Sequence, residues 1–87
     1  MKMMIVIVKD QDADHLTQAL TAGSYRVTRV ASTGGFLRSG VVTLLIGLED
    51  DQVDAAIDLM RGKLPAGMQQ EPRASLFVVP VERFVQV

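Results

Sequence analysis

The sequence predicts a small α+β domain in which a four-stranded antiparallel sheet carries two helices on one face. Three observations indicate this fold: apolar, β-branched runs alternate with amphipathic segments, the two halves of the chain repeat one order of elements, and 87 residues suffice for one domain only. The residues are 48% hydrophobic and 22% charged, which can fill a core and does not suit a disordered chain. We therefore expect a single domain over residues 1–87 and exclude a multidomain enzyme.

The chain begins with a predicted strand and helix. Residues 2–8 form an apolar run without polar alternation, which is typical of a strand covered on both faces. A helix is predicted over about residues 12–22, and its apolar positions at helical spacing are Ala13, Leu16 and Leu20. Asp10 and Asp12 are candidate N-caps. Gly23 stands where a left-handed C-cap is expected.

Two further strands flank a glycine-rich connection. Residues 24–32 are rich in Tyr, Val and Thr and alternate in part, which predicts a strand with one wetter face. Residues 33–40 contain three glycines and read as a loop with special backbone angles. Residues 41–48 are apolar at nearly every position, so the third strand is predicted to be fully buried.

The second helix has the clearest periodicity in the chain. Its apolar positions are Val53, Ala56, Ile57, Met60 and Leu64. Asp50 and Asp51 are expected to cap its start, and Gly62 together with residues 65–67 to end it.

The last strand is predicted over residues 74–81, with Pro80 near its end, where a missing donor does least harm. The order is therefore β-α-β-β-α-β, the ferredoxin-like arrangement. Two right-handed crossovers put both helices on the same face of the sheet.

The other face of this sheet has no helix to cover it. Strands one, three and four are apolar on both sides, so this face would present a hydrophobic patch that a monomer rarely tolerates. A homo-oligomer is the simplest cover. The alternative is that the tail, residues 82–87, and residues 64–73 fold back over the face.

Composition excludes several classes of function. Nine basic and ten acidic residues give a net charge of -1, which does not favour nucleic acid or an anionic membrane as partner. The chain has no cysteine and one histidine, which argues against a metal site and a thiol nucleophile. Its longest apolar run, residues 3–8, is too short to cross a bilayer, and no secretory signal is recognised, so a cytoplasmic location is expected.

No catalytic residue, cofactor or metal ligand is predicted. His15 lies beside Asp12 and Asp14, but a lone histidine on a helix surface is usually solvated rather than catalytic. The start of the second helix explains the carboxylates Asp50, Asp51 and Asp54 better than a metal does.

The loop at residues 33–40 has the ingredients of a nucleotide site. Gly34 and Gly35 allow successive N–H groups to point at one anionic oxygen. Phe36 offers a flat face for a base. The nearby cationic and hydroxyl side chains are Arg26, Arg29, Arg38, Thr28, Ser32 and Thr33. The same glycines equally fit a tight turn in which Phe36 fills a subunit seam, and neither a Walker nor a Rossmann loop is present.

Several blocks of the sequence resemble one known family. They are residues 1–3, residues 8–12, the block TGGFLR at 33–38 with Gly40, then Gly47, Asp50, Asp51, Val53 and Asp54, and residues 77–81 with Phe84 and Gln86. Together they resemble the PII-like cyclic-di-AMP receptors of the PstA or DarA type. The resemblance implies a signal-transduction protein that is a homotrimer of ferredoxin-like subunits, binds its ligand in clefts between them, passes the signal to a protein partner and has no catalysis.

The resemblance also implies ligand contacts at matching positions. These are Arg26, Thr28, Gly35, Phe36, Leu37, Gly47, Phe77 and Gln86. The chain departs from the family at Ser24 and Val41, where asparagines are typical, and it has about a dozen residues at 62–74 in place of a long loop. The sequence therefore favours a shortened receptor for cyclic-di-AMP or another adenine nucleotide. The alternative is a non-catalytic interaction trimer that has lost the ligand.

Overall fold

A computed structural model describes residues 1–30, 40–64 and 74–87, and these residues form the predicted order of elements. They are β1 (Lys2–Lys9), α1 (Asp10–Ala22), β2 (Arg26–Val30), β3 (Val41–Leu48), α2 (Val53–Lys63) and β4 (Ala74–Pro80). The strands lie in the order β2-β3-β1-β4, and every neighbouring pair is antiparallel. The ferredoxin-like fold is thereby confirmed.

The sheet has one buried face because alternate strand residues point to opposite sides. The even-numbered residues of β1 and β3 face the two helices and form the core with α1 and α2. The buried side chains are Met4, Val6, Val8, Ala13, Leu16, Leu20, Val42, Leu44, Ile46, Leu48, Ala56 and Met60. All apolar positions predicted for the two helices either belong to this core or pack against it.

Helix α1 begins earlier than predicted and is not capped by an aspartate. Lys9 occupies the N-cap position, with extended backbone and no capping side chain. The N–H of Asp10 instead donates to the carbonyl of Gly40, 2.7 Å away. Asp10 and Asp12 lie in the first turn, where a negative charge favours the helix dipole. The expected aspartate caps are therefore wrong, because the start of β3 supplies the acceptor.

At the C-terminal end of α1, the left-handed backbone expected at Gly23 is found at Ser24 instead. Gly23 has a φ of -84°, whereas Ser24 has the left-handed φ of 71°. The N–H of Tyr25 donates to the carbonyl of Leu20 at 3.0 Å, and the N–H of Ser24 to that of Thr21 at 3.0 Å, which is a Schellman ending. Gly23 is needed for space: a Cβ there would lie 3.2 Å from the ring of Tyr25.

Helix α2 also begins and ends differently from the prediction. A short 3-10 turn, Asp50–Gln52, precedes it, and Glu49 with Gln52 forms a reciprocal capping box. The N–H of Glu49 donates to Oε1 of Gln52 at 2.8 Å. Asp50 and Asp51 are first-turn residues rather than caps. Gly62 lies inside the helix, which continues to Lys63.

The helix-free face of the sheet carries three cross-strand rows of side chains. The rows are Arg26, Gly47, Met3 and Val79; then Thr28, Leu45, Ile5 and Phe77; then Val30, Thr43, Ile7 and Ser75. Phe77 is 54% exposed in the single chain. The described residues thus include an apolar sheet face that no helix covers, as the sequence predicts.

Candidate ligand-binding site

A pocket of about 520 Å³ lies at one end of the helix-free face. Its size is in the range of small-molecule sites. It is lined by Met1, Lys2, Met3, Arg26, Thr28, Leu45, Gly47, Val81, Phe84 and Gln86. Three strands and the C-terminal tail therefore meet there, and the tail reaches one end of this face of the sheet.

The strand register explains why distant residues converge on this pocket. Gly47 on β3 pairs with Arg26 on β2 and with Met3 on β1, so the three form one row. Thr28 and Leu45 form the adjacent part of the next row. The side chains of paired residues in an antiparallel sheet stand side by side on one face. The floor of the pocket is consequently made by two neighbouring rows.

The tail that closes the pocket is joined to the first strand. The N–H of Val81 donates to the carbonyl of Met1 at 3.0 Å, just beyond the last paired residue of β4. The residues that follow bring Phe84 and Gln86 to the pocket. This bond continues the pairing of the two strands and so determines where the tail begins.

Gly47 leaves space in the floor that packing does not require. Among the described residues, and apart from the two chain neighbours of Gly47, a Cβ at this position would have one contact within 4.0 Å, the Cε of Met1. Glycine within a strand lowers stability relative to alanine, and it often marks the close approach of a ligand or another backbone. The missing side chain at Gly47 therefore keeps the pocket open.

The pocket has a positive rather than a negative lining. Its described lining residues include Arg26 and Lys2 but neither aspartate nor glutamate. Arg26 makes no ion pair within the described ranges. Lys2 belongs to the row of Leu48, on the helix side of the sheet, so Arg26 is the cation whose register position faces the pocket. An anionic group is the ligand that such a lining favours.

Arg29 belongs to a different surface from Arg26. It pairs with Leu44, so it faces the helices, where its guanidinium donates to Asp10 at 3.0 Å and to Asp14. The hydrogen bond to Asp14, with the charges of both carboxylates, raises the pKa of Arg29 above its ordinary value, so it stays charged. This corrects the expectation that Arg26 and Arg29 bring charge to the same site. Positions three apart on a strand point to opposite faces.

The other predicted contacts fall into three groups. Arg26, Thr28, Gly47 and Gln86 all line the pocket. Phe77 lies in the second row beyond Ile5 and is not part of the lining. Gly35, Phe36 and Leu37 lie outside the described residues, as does the rest of the block TGGFLR.

The two departures from the family pattern also have structural places. Ser24 has a left-handed backbone, a conformation that asparagine tolerates better than serine. Val41 faces the helix-free side opposite Lys9, at the far end of β3 from Gly47, and does not line this pocket.

Several lining residues were not predicted from the sequence. Met3 and Leu45 read as strand core because each lies in an unbroken apolar run. The sequence assigns Phe84 to an apolar tail and to the blocks that resemble the family, but not to the ligand contacts. The alternation of strand faces could have assigned Met3 and Leu45 once the register was known, whereas no local signal marks Phe84.

Residues 1–30, 40–64 and 74–87 hold no group of three His, Cys, Asp or Glu side chains placed to bind a metal ion. Neither described helix is long and apolar enough to span a bilayer.

Comparison with known proteins adds two findings. A family model described as cyclic-di-AMP receptor matches residues 1–70. The fold is also similar to a crystal structure of a functionally unknown protein from Pediococcus pentosaceus ATCC 25745, with a TM-score of 0.79 and 28% sequence identity over 99% of this chain and 96% of that chain. The structural likeness therefore extends through β4 and the tail, beyond the family match. Since the family match covers most of the sequence, the chain belongs to the cyclic-di-AMP receptor family.

Proposed function

We propose that this protein is a cytoplasmic, PII-like signal-transduction protein that binds cyclic-di-AMP or a related adenine nucleotide. The observation that carries the proposal is the convergence of Arg26, Thr28, Gly47 and Gln86 on one pocket. Membership of the receptor family supports a cyclic dinucleotide as the ligand. The activity is binding without turnover, since the family is one of receptors.

Each of these side chains has a chemical task in such a complex. Arg26 donates charge-assisted hydrogen bonds to a phosphate oxygen. Thr28 and Gln86 carry a hydroxyl and an amide, which can donate and accept at a ribose or a base edge. Gly47 admits the ligand close to the strand backbone. The expected contributions of Gly35, Phe36 and Leu37 rest on the resemblance alone.

We further propose that the pocket forms part of a cleft between subunits of a homotrimer. The support is the helix-free sheet face, where Phe77 and its row present apolar surface in the single chain. A closed oligomer removes such a surface from water. Phe77 lies outside the pocket of its own chain, so in this trimer it would contact a ligand that is held in the pocket of a neighbouring subunit.

A second candidate is an interaction trimer without ligand. The family resemblance favours it at Val41, which lies outside the described pocket: a valine cannot supply the polar atom of the asparagine typical there, so at least one hydrogen bond of roughly 0.5–1.5 kcal/mol that the resemblance implies would be missing. The short connection at residues 62–74 also favours it. A partner protein is part of both candidates.

Isothermal titration calorimetry with cyclic-di-AMP and, separately, ATP tests the proposed function. The wild type should release or absorb heat with saturable binding, and Arg26→Ala should lose about 10-fold or more in affinity because a charge-assisted hydrogen bond contributes roughly 1.5–3 kcal/mol. Arg29→Ala is the matched control: it removes the same charge from the same strand on the opposite face, so its affinity should equal that of the wild type.

Two outcomes would contradict the proposal. The first is a well-folded wild type that gives no heat with either nucleotide at millimolar concentration. The second is equal loss of affinity in the two arginine variants, which would indicate a general effect of charge rather than a contact at Arg26. A pull-down that recovers the same partner from wild type and Arg26→Ala, with no nucleotide bound, would favour the interaction trimer.

A further inference from the structure

We propose that Phe84, in the C-terminal tail, is a binding residue whose ring stacks on the purine base of the ligand. This inference rests on the proposed function and deepens it, because it assigns the base to the tail side of the pocket and the phosphate to Arg26. The base-binding wall is then supplied by a segment beyond residue 70, where the family match ends.

The position of Phe84 carries the first step. The hydrogen bond from Val81 to Met1 holds the start of the tail beside β1, and three residues later Phe84 joins the lining. Phe84 is the aromatic residue among the described residues that line the pocket. Tyr25 packs against the core, and Phe77 lies in the second row outside the pocket.

The exposure of Phe84 carries the second step. Its side chain is 62% exposed, and it neither belongs to the described core nor packs against it. A large aromatic ring at the wall of a pocket presents a flat apolar surface, and this surface gains by being covered. Every nucleobase has such a flat face, so stacking suits a purine without requiring specific hydrogen bonds.

The arrangement around Phe84 carries the third step. The lining has a cation at Arg26, a small open floor at Gly47 and an aromatic wall at Phe84. A simple anion would use the first of these features only, and an apolar ligand only the third. A molecule with both a phosphate and a planar base uses all of them, and Gln86 in the same lining carries an amide that can meet a base edge.

A fluorescent variant tests the stacking directly, because the chain has no tryptophan. Phe84→Trp places a single indole at the wall, and its emission should fall as cyclic-di-AMP saturates the site. Val85→Trp is the matched control, since Val85 is a neighbouring exposed tail residue outside the lining, and its emission should stay constant. Ribose 5-phosphate, which has a phosphate and no base, should leave the emission of Phe84→Trp unchanged.

Calorimetry with cyclic-di-AMP separates the contribution of the flat ring of Phe84 to binding from that of its apolar volume. Phe84→Leu keeps an apolar side chain without a flat ring and should weaken binding by roughly 5- to 150-fold, the range that corresponds to about 1–3 kcal/mol when stacking aromatic residues are replaced by alanine. Phe84→Tyr keeps the ring and should bind within about 3-fold of the wild type. The sedimentation mass of all variants should equal that of the wild type.

The outcomes distinguish this inference from the function on which it rests. Tight binding by both wild type and Phe84→Leu, or equal quenching in Phe84→Trp and Val85→Trp, would overturn the role of Phe84 and leave the proposed function standing. A lower sedimentation mass of Phe84→Leu together with weak binding would assign the ring to a subunit contact and also overturn it. No binding by the wild type would overturn both.

Discussion

Two glycines and two arginines differ in whether the fold or the ligand explains them. Gly23 is explained by the fold, since the ring of Tyr25 occupies the space of a side chain. Gly47 is not, because within the part of the chain that the structure describes a Cβ would meet the end of one methionine and nothing else beyond its chain neighbours. Arg29 is explained by its two carboxylate partners, whereas Arg26 faces the pocket without one among the described residues. The unexplained residues are therefore those that we assign to the ligand.

Replacement of Gly47 tests this distinction at the residue scale. Gly47→Ala should leave the free energy of unfolding unchanged or raise it by about 0.5–1 kcal/mol, because alanine costs less conformational entropy and has room. The same change should weaken cyclic-di-AMP binding, because the methyl group occupies the pocket floor. Urea unfolding and calorimetry measure the two effects. A variant that is clearly less stable than the wild type would show that Gly47 serves the fold.

At both helices the sequence predicts roughly where the helix starts but not which groups cap it. Acidic residues mark both helix starts, yet the backbone acceptor comes from Gly40 in one case and the capping box from Glu49 and Gln52 in the other. Gly62 is expected from the sequence to end α2 but lies within the helix. The C-cap of the helix is Leu64, whose backbone is extended, so this end requires no residue with left-handed backbone such as glycine. Glycine in a sequence thus does not by itself tell a helix end from a helix interior.

Replacement of Gly62 tests whether this glycine lies in the helix interior. Gly62→Ala should raise the free energy of unfolding by about 0.5–1 kcal/mol, because the site is helical and exposed, and no described atom outside the chain neighbours and the local helix backbone lies within 4 Å of a new Cβ. Gly23→Ala is the control and should gain less or lose stability, because its Cβ would lie 3.2 Å from the ring of Tyr25. Chemical denaturation of both variants measures the difference. A larger gain at Gly23 than at Gly62 would contradict this account.

Among the described residues, the sheet has one face covered by the two helices and one face that no helix covers. The helices bury the even-numbered side of β1 and β3, and the odd-numbered side keeps apolar residues of β1, β3 and β4 beside the pocket. Binding and assembly therefore use one surface in our proposal. A ligand at the end of this face would lie next to any subunit that covers the rest of it.

A charge placed on this face tests the proposed trimer. Phe77→Asp should lower the sedimentation mass to that of a single chain while circular dichroism stays that of the folded protein, because Phe77 is 54% exposed in the isolated subunit. Val78→Asp is the matched control. Val78 is the neighbour of Phe77 on β4, faces the opposite side of the sheet and is 41% exposed, so the sedimentation mass of this variant should remain that of the wild type. A wild type that sediments as a 9.5 kDa particle would refute the trimer itself.

The sequence was enough to predict the order of the elements, the apolar sides of the helices and the family, because periodicity and local motifs are properties of neighbouring residues. It could not tell Arg26 from Arg29, since the face of a short, partly alternating strand depends on its register with β3. It also could not bring Phe84 and Gln86 to Gly47, because that contact joins the end of the chain to its middle through the pairing of three strands. These points depend on how the chain folds in three dimensions, since pairing between distant segments leaves no local pattern in the sequence.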